Sequence, residues 1–112
     1  MKSRIGDKQR LLHILEAIDI IESFVKDVSY DDYKADLKLR LALVKLVENI
    51  GEASANFSEE TKKQYSYIDW PAIKGMRNII IHEYFDISYE LVWNTIQHEI
   101  PILKTQLQQI SL

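Results

Sequence analysis

Apolar residues recur at steps of three and four along the first half of the chain, the spacing of an amphipathic α-helix. This pattern predicts a first helix over residues 7–28, with Asp7 as its N-cap. A second long helix is predicted over residues 32–55, after the polar break SYDDY (29–33). The apolar positions are Ile14, Ile18, Ile21, Val25 and Val28, then Leu39, Leu43, Leu46, Ile50, Ala53 and Phe57, with a second row of Leu37, Leu41, Val44 and Val47.

The second half of the chain contains three further helical segments. A short helix is predicted around residues 58–65 and a main helix over residues 70–82, where Asp69 can cap and Pro71 suits the first turn. Ser88 can cap a last helix, whose apolar stripe is interrupted by Pro101. Because proline removes a backbone hydrogen bond, a kink or break is expected there. The apolar stripe is Val92, Ile96, Ile100, Leu103, Leu107 and Ile110.

Composition supports an all-α fold. Only 3 glycines and 2 prolines occur in 112 residues, too few for the turns of an all-β protein. The length suits one domain over residues 1–112, so we predict a single bundle of four main helices plus a short one.

Charge and cysteine content restrict the function. With 14 basic and 17 acidic residues, the net charge of −3 disfavours a non-specific nucleic-acid coat but allows a local phosphate site. The absence of cysteine fits an intracellular, cytoplasmic location. No apolar segment follows the polar start MKSRIGDKQR, and no apolar run is long enough to cross a membrane. We therefore expect neither a signal peptide nor a membrane association.

The segment RNIIIHEY (77–84) places polar residues on both sides of three consecutive isoleucines. On a helical wheel Arg77 falls within the apolar arc, whereas Gly75, Asn78 and His82 form one stripe at about 100–160° from it. Gly75 leaves space beside the histidine, where a ligand or a second chain could approach.

Arg77 and His82 do not share one helix face. They lie about 140° apart, so a joint site requires either a frayed helix end or a second subunit. The segment EYFDIS (83–88) is predicted to be a loop, with Tyr84 exposed on a turn near His82.

Two interpretations of these polar residues stay open on spacing alone. In the structural one, His82 bonds the last carbonyls of its helix, and a buried arginine, Arg77 or Arg40, pairs with Glu48 or Glu52. In the chemical one, Arg77 holds a phosphate and His82 moves a proton near neutral pH. Those two groups suffice for metal-free cleavage of RNA, in which a base deprotonates the 2′-OH and a cation stabilises the phosphate.

Other candidate features indicate no further site. His13 and His98 lack a second histidine at metal-binding spacing and are interpreted as partly exposed helix residues. Trp70 and Trp93 are predicted core anchors. No phosphate-binding glycine loop or catalytic triad occurs, so neither a metal nor a cofactor is expected.

The segment WPAIKGMRNIIIHEYFDISYELVWNTIQHEIPIL (70–103) resembles the HepT-like branch of the HEPN superfamily, the toxin half of HEPN/MNT toxin–antitoxin systems. The family pattern of Arg, four residues, His, any residue and Tyr is present as Arg77, His82 and Tyr84. GEA (51–53) is also similar, and the resemblance covers most of the chain.

The resemblance implies an all-α homodimer with its motif residues in a cleft between subunits. It implies a metal-independent endoribonuclease with Arg77 and His82 as the catalytic pair and Asn78 in support. From the wheel and the possible ion pair described above, we expect Gly75 and Glu52 to be supporting residues. The implied partner is an MNT-type nucleotidyltransferase antitoxin, which could transfer AMP to Tyr84 and so block RNA by charge and bulk. The alternative is a non-catalytic nucleotide- or substrate-binding subunit of such a nucleotidyltransferase.

Overall fold

The computed structural model describes the backbone of residues 4–82 and 87–112, and the side chains of residues 6–76 and 87–112. These ranges contain helices and no β-strand, which confirms the all-α prediction. A π-helical turn, Thr95–Glu99, joins the last two helices into one continuous rod. In chain order the α-helices are α1 Arg4–Val25, α2 Tyr30–Ala35, α3 Leu37–Ala55, α4 Glu59–Gln64, α5 Trp70–His82, α6 Tyr89–Asn94 and α7 Ile100–Leu107.

The start of the chain differs from the prediction in two respects. Helix α1 begins before Asp7, so Asp7 is not its N-cap, and it ends at Val25 rather than at residue 28. Asp27 ends the turn that follows, with a positive φ of 60°.

The predicted polar break at SYDDY is wrong, because this segment starts a helix of its own. The Ser29 hydroxyl accepts a hydrogen bond from the Asp32 N–H, and the Asp32 carboxylate accepts one from the Ser29 N–H. This reciprocal arrangement is a capping box. Asp36 is extended, ends α2, and accepts a hydrogen bond from the Leu39 N–H at 3.0 Å to cap α3. The predicted helix over residues 32–55 is therefore two helices.

The predicted apolar stripes form the core. Helix α3 lies between α1 and α5 and packs on both. The second row of α3 is buried only in part, since Leu37 is 56% and Leu41 is 50% exposed. The buried stripe residues are Ile14, Ile18 and Ile21 of α1, Leu43, Val44, Val47 and Ile50 of α3, Phe57, and Val92, Ile96, Ile100, Leu103, Leu107 and Ile110 of the C-terminal part.

An aromatic cluster fixes α2 against the last rod. Tyr33 is fully buried, its ring centroid lies 4.7 Å from that of Trp93, and its hydroxyl donates to the Tyr89 carbonyl at 2.7 Å. Burial raises the pKa of the Tyr33 phenol, so it remains a donor. Trp93 is half-buried, and Trp70 is buried 5.0 Å from the Phe57 ring, which confirms both tryptophans as core residues.

The break predicted at Pro101 does not occur. The Ile100 N–H donates to the Thr95 carbonyl, five residues back, and the chain remains helical to Leu107. Because Pro101 lacks an N–H, the rod accommodates it by widening into the π-helical turn just before it.

Within the described ranges, no helix combines the length and the apolarity needed to cross a bilayer.

Candidate functional site

Helix α5 carries the predicted site along one unbroken backbone. It starts as predicted, since the Asp69 carboxylate accepts a hydrogen bond from the Ala72 N–H at 3.1 Å and Pro71 occupies the first turn. The helix continues through His82. The separation of about 140° between the positions of Arg77 and His82 therefore holds for this backbone.

The described side chains of α5 separate a buried face from an open one. Trp70 and Ile73 are buried, whereas Pro71, Ala72 and Lys74 are exposed. On the helical wheel the position of Arg77 falls between those of Trp70 and Ile73, on the buried side.

The open face includes a row that we call the outer row of α5. A Cβ at Gly75 would meet no heavy atom within 4 Å, so this face is open at that glycine. On the wheel the row covers about 100°. Its positions are Pro71, Lys74, Gly75, Asn78 and His82.

The chemistry of the motif itself stays a prediction. The side chains of Arg77, Asn78 and His82 lie outside the described residues, and so does all of Tyr84. The structure places the first three positions on α5 and describes no contact of their side chains.

The arginine–carboxylate pairs predicted on α3 are not formed by Arg40 or Glu48. The Arg40 guanidinium lies 4.8 Å from the centroid of the Tyr89 ring and donates to the carbonyls of Tyr33 and Lys34 at the end of α2. Glu48 lies 3.5 Å from the Lys45 ammonium instead. The predicted pair between Arg77 and Glu48 or Glu52 stays a prediction, because the Arg77 side chain lies outside the described residues.

Glu52 is exposed on α3 and lines a groove of about 410 Å³ between α1 and α3. Its predicted support of Arg77 stays a prediction. His13 lines the same groove and is exposed, as is His98 on the last rod, in agreement with the sequence. Among the described residues, no cluster of three or more histidine and acidic side chains could hold a metal ion.

Asp7 is a buried carboxylate that the sequence did not identify as one. It accepts hydrogen bonds from the N–H and the hydroxyl of Ser58, from the Thr61 hydroxyl, and from Arg10 at 2.8 Å. Burial acts to raise the pKa of Asp7, but these bonds together lower it. Because four donors keep it ionised, the Asp7 carboxylate has little tendency to take up a proton. Its bonds connect α1 to the start of α4, which is a structural role.

Comparison with known proteins decides the family. Residues 14–110 match the family described as "Ribonuclease HepT-like", which covers α5 and its motif. The chain belongs to this family. The resemblance seen in the sequence is thereby confirmed, and the HEPN superfamily fits the all-α bundle.

Two relatives in the family illustrate the similarity. A protein of Caldanaerobacter subterraneus named "Putative RNase" is 40% identical over 100 residues, covering 89% of each chain. A protein of Thermococcus cleftensis named "Probable ribonuclease HepT" is 34% identical over 103 residues, covering 92% of this chain and 94% of its own. No solved structure matches the chain.

Proposed function

We propose that this protein is a metal-independent endoribonuclease that uses Arg77 and His82, with Asn78 in support. The observation that carries the proposal is membership of the HepT-like ribonuclease family over a range that includes the complete Arg77–His82–Tyr84 motif. The relatives' names, which refer to ribonucleases, add support.

The proposed reaction needs only the residue types of the motif. Neutral His82 takes the proton of a ribose 2′-OH, and the 2′ oxygen forms a bond to the adjacent phosphorus. The bond from phosphorus to the 5′ oxygen breaks, and that oxygen receives a proton from an imidazolium. Arg77 stabilises the negative charge that builds up on the phosphate oxygens. The products are a 2′,3′-cyclic phosphate and a 5′-OH.

A homodimer is part of the proposal. Because the positions of Arg77 and His82 diverge by about 140° on one helix, a cleft shared by two copies of α5 would let Arg77 and His82 of different subunits meet one phosphate. The open face at Gly75 is compatible with such an approach.

Regulation by a partner completes the proposed function. An MNT-type nucleotidyltransferase antitoxin would attach AMP to the Tyr84 oxygen, with pyrophosphate leaving from ATP. The added bulk and negative charge would repel RNA from the site. Mass measurement after co-expression with such an enzyme should show one or more added AMP units on Tyr84, and Tyr84→Phe should abolish the gain.

The decisive experiment is cleavage of single-stranded RNA by purified protein in the presence of EDTA. We expect cleavage by the wild type and a loss of at least about 100-fold for Arg77→Ala and for His82→Ala, the usual scale for a missing general base or charge stabiliser. Both variants should keep the circular dichroism and the oligomeric state of the wild type. Variants that are folded and cleave like the wild type would contradict the assignment. Tight binding of ATP or AMP without any cleavage would favour the alternative of a nucleotide-binding subunit.

A further inference from the structure

A basic groove, lined by residues of α4 and of the first half of α5, lies at the far end of α5 from the motif. Its volume is about 420 Å³. Two lysines, Lys62 of α4 and Lys74 of α5, line it. In a chain with a net charge of −3, two ammonium groups in one groove are a local excess of positive charge suited to an anionic ligand. The described residues that line it are Ala55, Glu59, Lys62, Trp70, Pro71 and Lys74.

Glu59, the one acidic residue among the described lining residues, does not cancel the charge. Glu59 lies 3.7 Å from the Lys62 ammonium, but its side chain is 74% exposed, so water and salt screen the pair. Lys62 also lies 3.4 Å from the Ala55 carbonyl, which holds its ammonium at the end of α3. Since an ammonium has three N–H donors, these contacts leave Lys62 capacity for a ligand.

The groove is continuous with the outer row of α5. Lys74 and Pro71 belong to both, and the surface is open at Gly75. At 1.5 Å per residue, Asn78 lies about 6 Å and His82 about 12 Å further along the helix axis than Lys74. The basic groove and the proposed reaction site therefore lie along one side of a single helix.

We propose that single-stranded RNA lies along the outer row of α5 and that Lys62 and Lys74 bind its phosphates in this groove. The inference rests on the proposed ribonuclease function, which supplies the ligand class. Charge complementarity favours a polyanion, and the row spans about 16 Å from Pro71 to His82, long enough for more than one nucleotide. Phosphate contacts of this kind position a strand without reading its sequence.

The test measures the affinity for a single-stranded RNA oligomer methylated at every 2′ oxygen, which the proposed reaction cannot cleave. Fluorescence anisotropy over a range of salt concentrations gives the slope of log affinity against log salt. Each lysine that contacts a phosphate should contribute about 0.7 to this slope for a single strand. Lys62→Gln and Lys74→Gln should each lower the slope by about that amount, and the double variant by about twice as much.

Matched variants make the result specific. Lys26→Gln changes the charge equally at an exposed lysine beyond the end of α1, and it should leave the slope unchanged. Lys74→Arg keeps the positive charge, so it should keep the wild-type slope. Circular dichroism checks that Lys62→Gln, which loses the contact with the Ala55 carbonyl, still folds. Slopes that stay at the wild-type value, or that fall equally for Lys26→Gln, overturn the inference, as does wild-type protein without salt-dependent RNA affinity.

Cleavage of unmodified RNA is measured separately, so the two proposals fail separately. If the wild type cleaves RNA and the lysine variants keep the wild-type slope, the proposed RNA binding in the groove is wrong and the proposed ribonuclease activity is supported. If the lysine variants lower the slope but the wild type does not cleave RNA, the proposed ribonuclease activity is wrong and the groove is supported as an RNA-binding surface.

Discussion

The hydroxyl of Tyr33 donates a hydrogen bond to the backbone carbonyl of Tyr89, 56 residues later, at 2.7 Å. This bond connects α2 to the first residue of α6, just after the segment that contains Tyr84. Tyr33→Phe keeps the buried ring but removes the donor, so we expect a loss of about 1 kcal/mol in the free energy of unfolding. Urea denaturation measures it. Tyr67→Phe, which removes a hydrogen bond from an exposed tyrosine to the Gln106 carbonyl, is the comparison and should lose less. Equal stability of Tyr33→Phe and wild type would show that the bond contributes nothing.

Asp7→Asn should destabilise the protein by about 2–3 kcal/mol at neutral pH, because charged hydrogen bonds to Ser58, Thr61 and Arg10 are weakened inside the protein. Asp19→Asn, at an exposed aspartate of the same helix, should stay within about 0.5 kcal/mol of the wild type. Chemical denaturation of the three proteins at pH 7 gives both differences.

The stability conferred by Asp7 should depend on pH in a definite direction. The pKa of Asp7 in the folded protein lies below its ordinary value of 3.8, so the stabilisation is fully present above that value. It is lost as the pH falls below 3.8 through the lower folded pKa. The gap between wild type and Asp7→Asn should therefore narrow between pH 4 and pH 2, and a gap that widened there would contradict the assignment.

Gly75→Ala should be tolerated or should stabilise the fold by up to about 1 kcal/mol, because its Cβ meets open space and alanine favours a helix. Gly75→Trp should also fold, but its indole would occupy the outer row of α5. We expect Gly75→Trp to lose RNA cleavage and Gly75→Ala to keep it, measured alongside thermal melts. Full activity of a folded Gly75→Trp would mean that RNA does not use this row.

Arg40→Lys should behave more like Arg40→Ala than like the wild type. A planar guanidinium can lie on the Tyr89 ring and donate to the Tyr33 and Lys34 carbonyls at once, whereas an ammonium cannot reproduce both contacts. We expect each variant to lose about 1–3 kcal/mol in thermal or urea unfolding. Full stability of Arg40→Lys would show that charge alone suffices.

Periodicity was enough to predict the core, because Ile14, Ile18 and Ile21 repeat at a helical spacing that the packed helices preserve. It could not predict the corner at Asp36, where α2 ends and α3 begins. In a single sequence, an aspartate inside a helix cannot be distinguished from one that caps the next helix. The role of Asp7 was also hidden, because its partners Ser58 and Thr61 are more than 50 residues away.

The sequence predicted the helix and the family of the candidate site but not the basic groove. The helix that carries Arg77 and His82 follows from the Asp69 cap and the apolar spacing, and the family follows from the motif. The basic groove was missed because Lys62 and Lys74 are 12 positions apart on different helices. Only the folded chain brings both lysines into the lining of one groove.

The corner at Asp36 also determines how the chain should respond to proteases. One residue ends α2 and caps α3, so no linker separates the two helices between Ser29 and Ala55. A protease needs several residues in an extended conformation, and helical backbone does not provide them. Lys34 and Lys38 are exposed on either side of the corner, yet trypsin should cut the native protein there only after the helices have opened. Resistance at these two lysines therefore reports how rarely α2 and α3 open in the native protein.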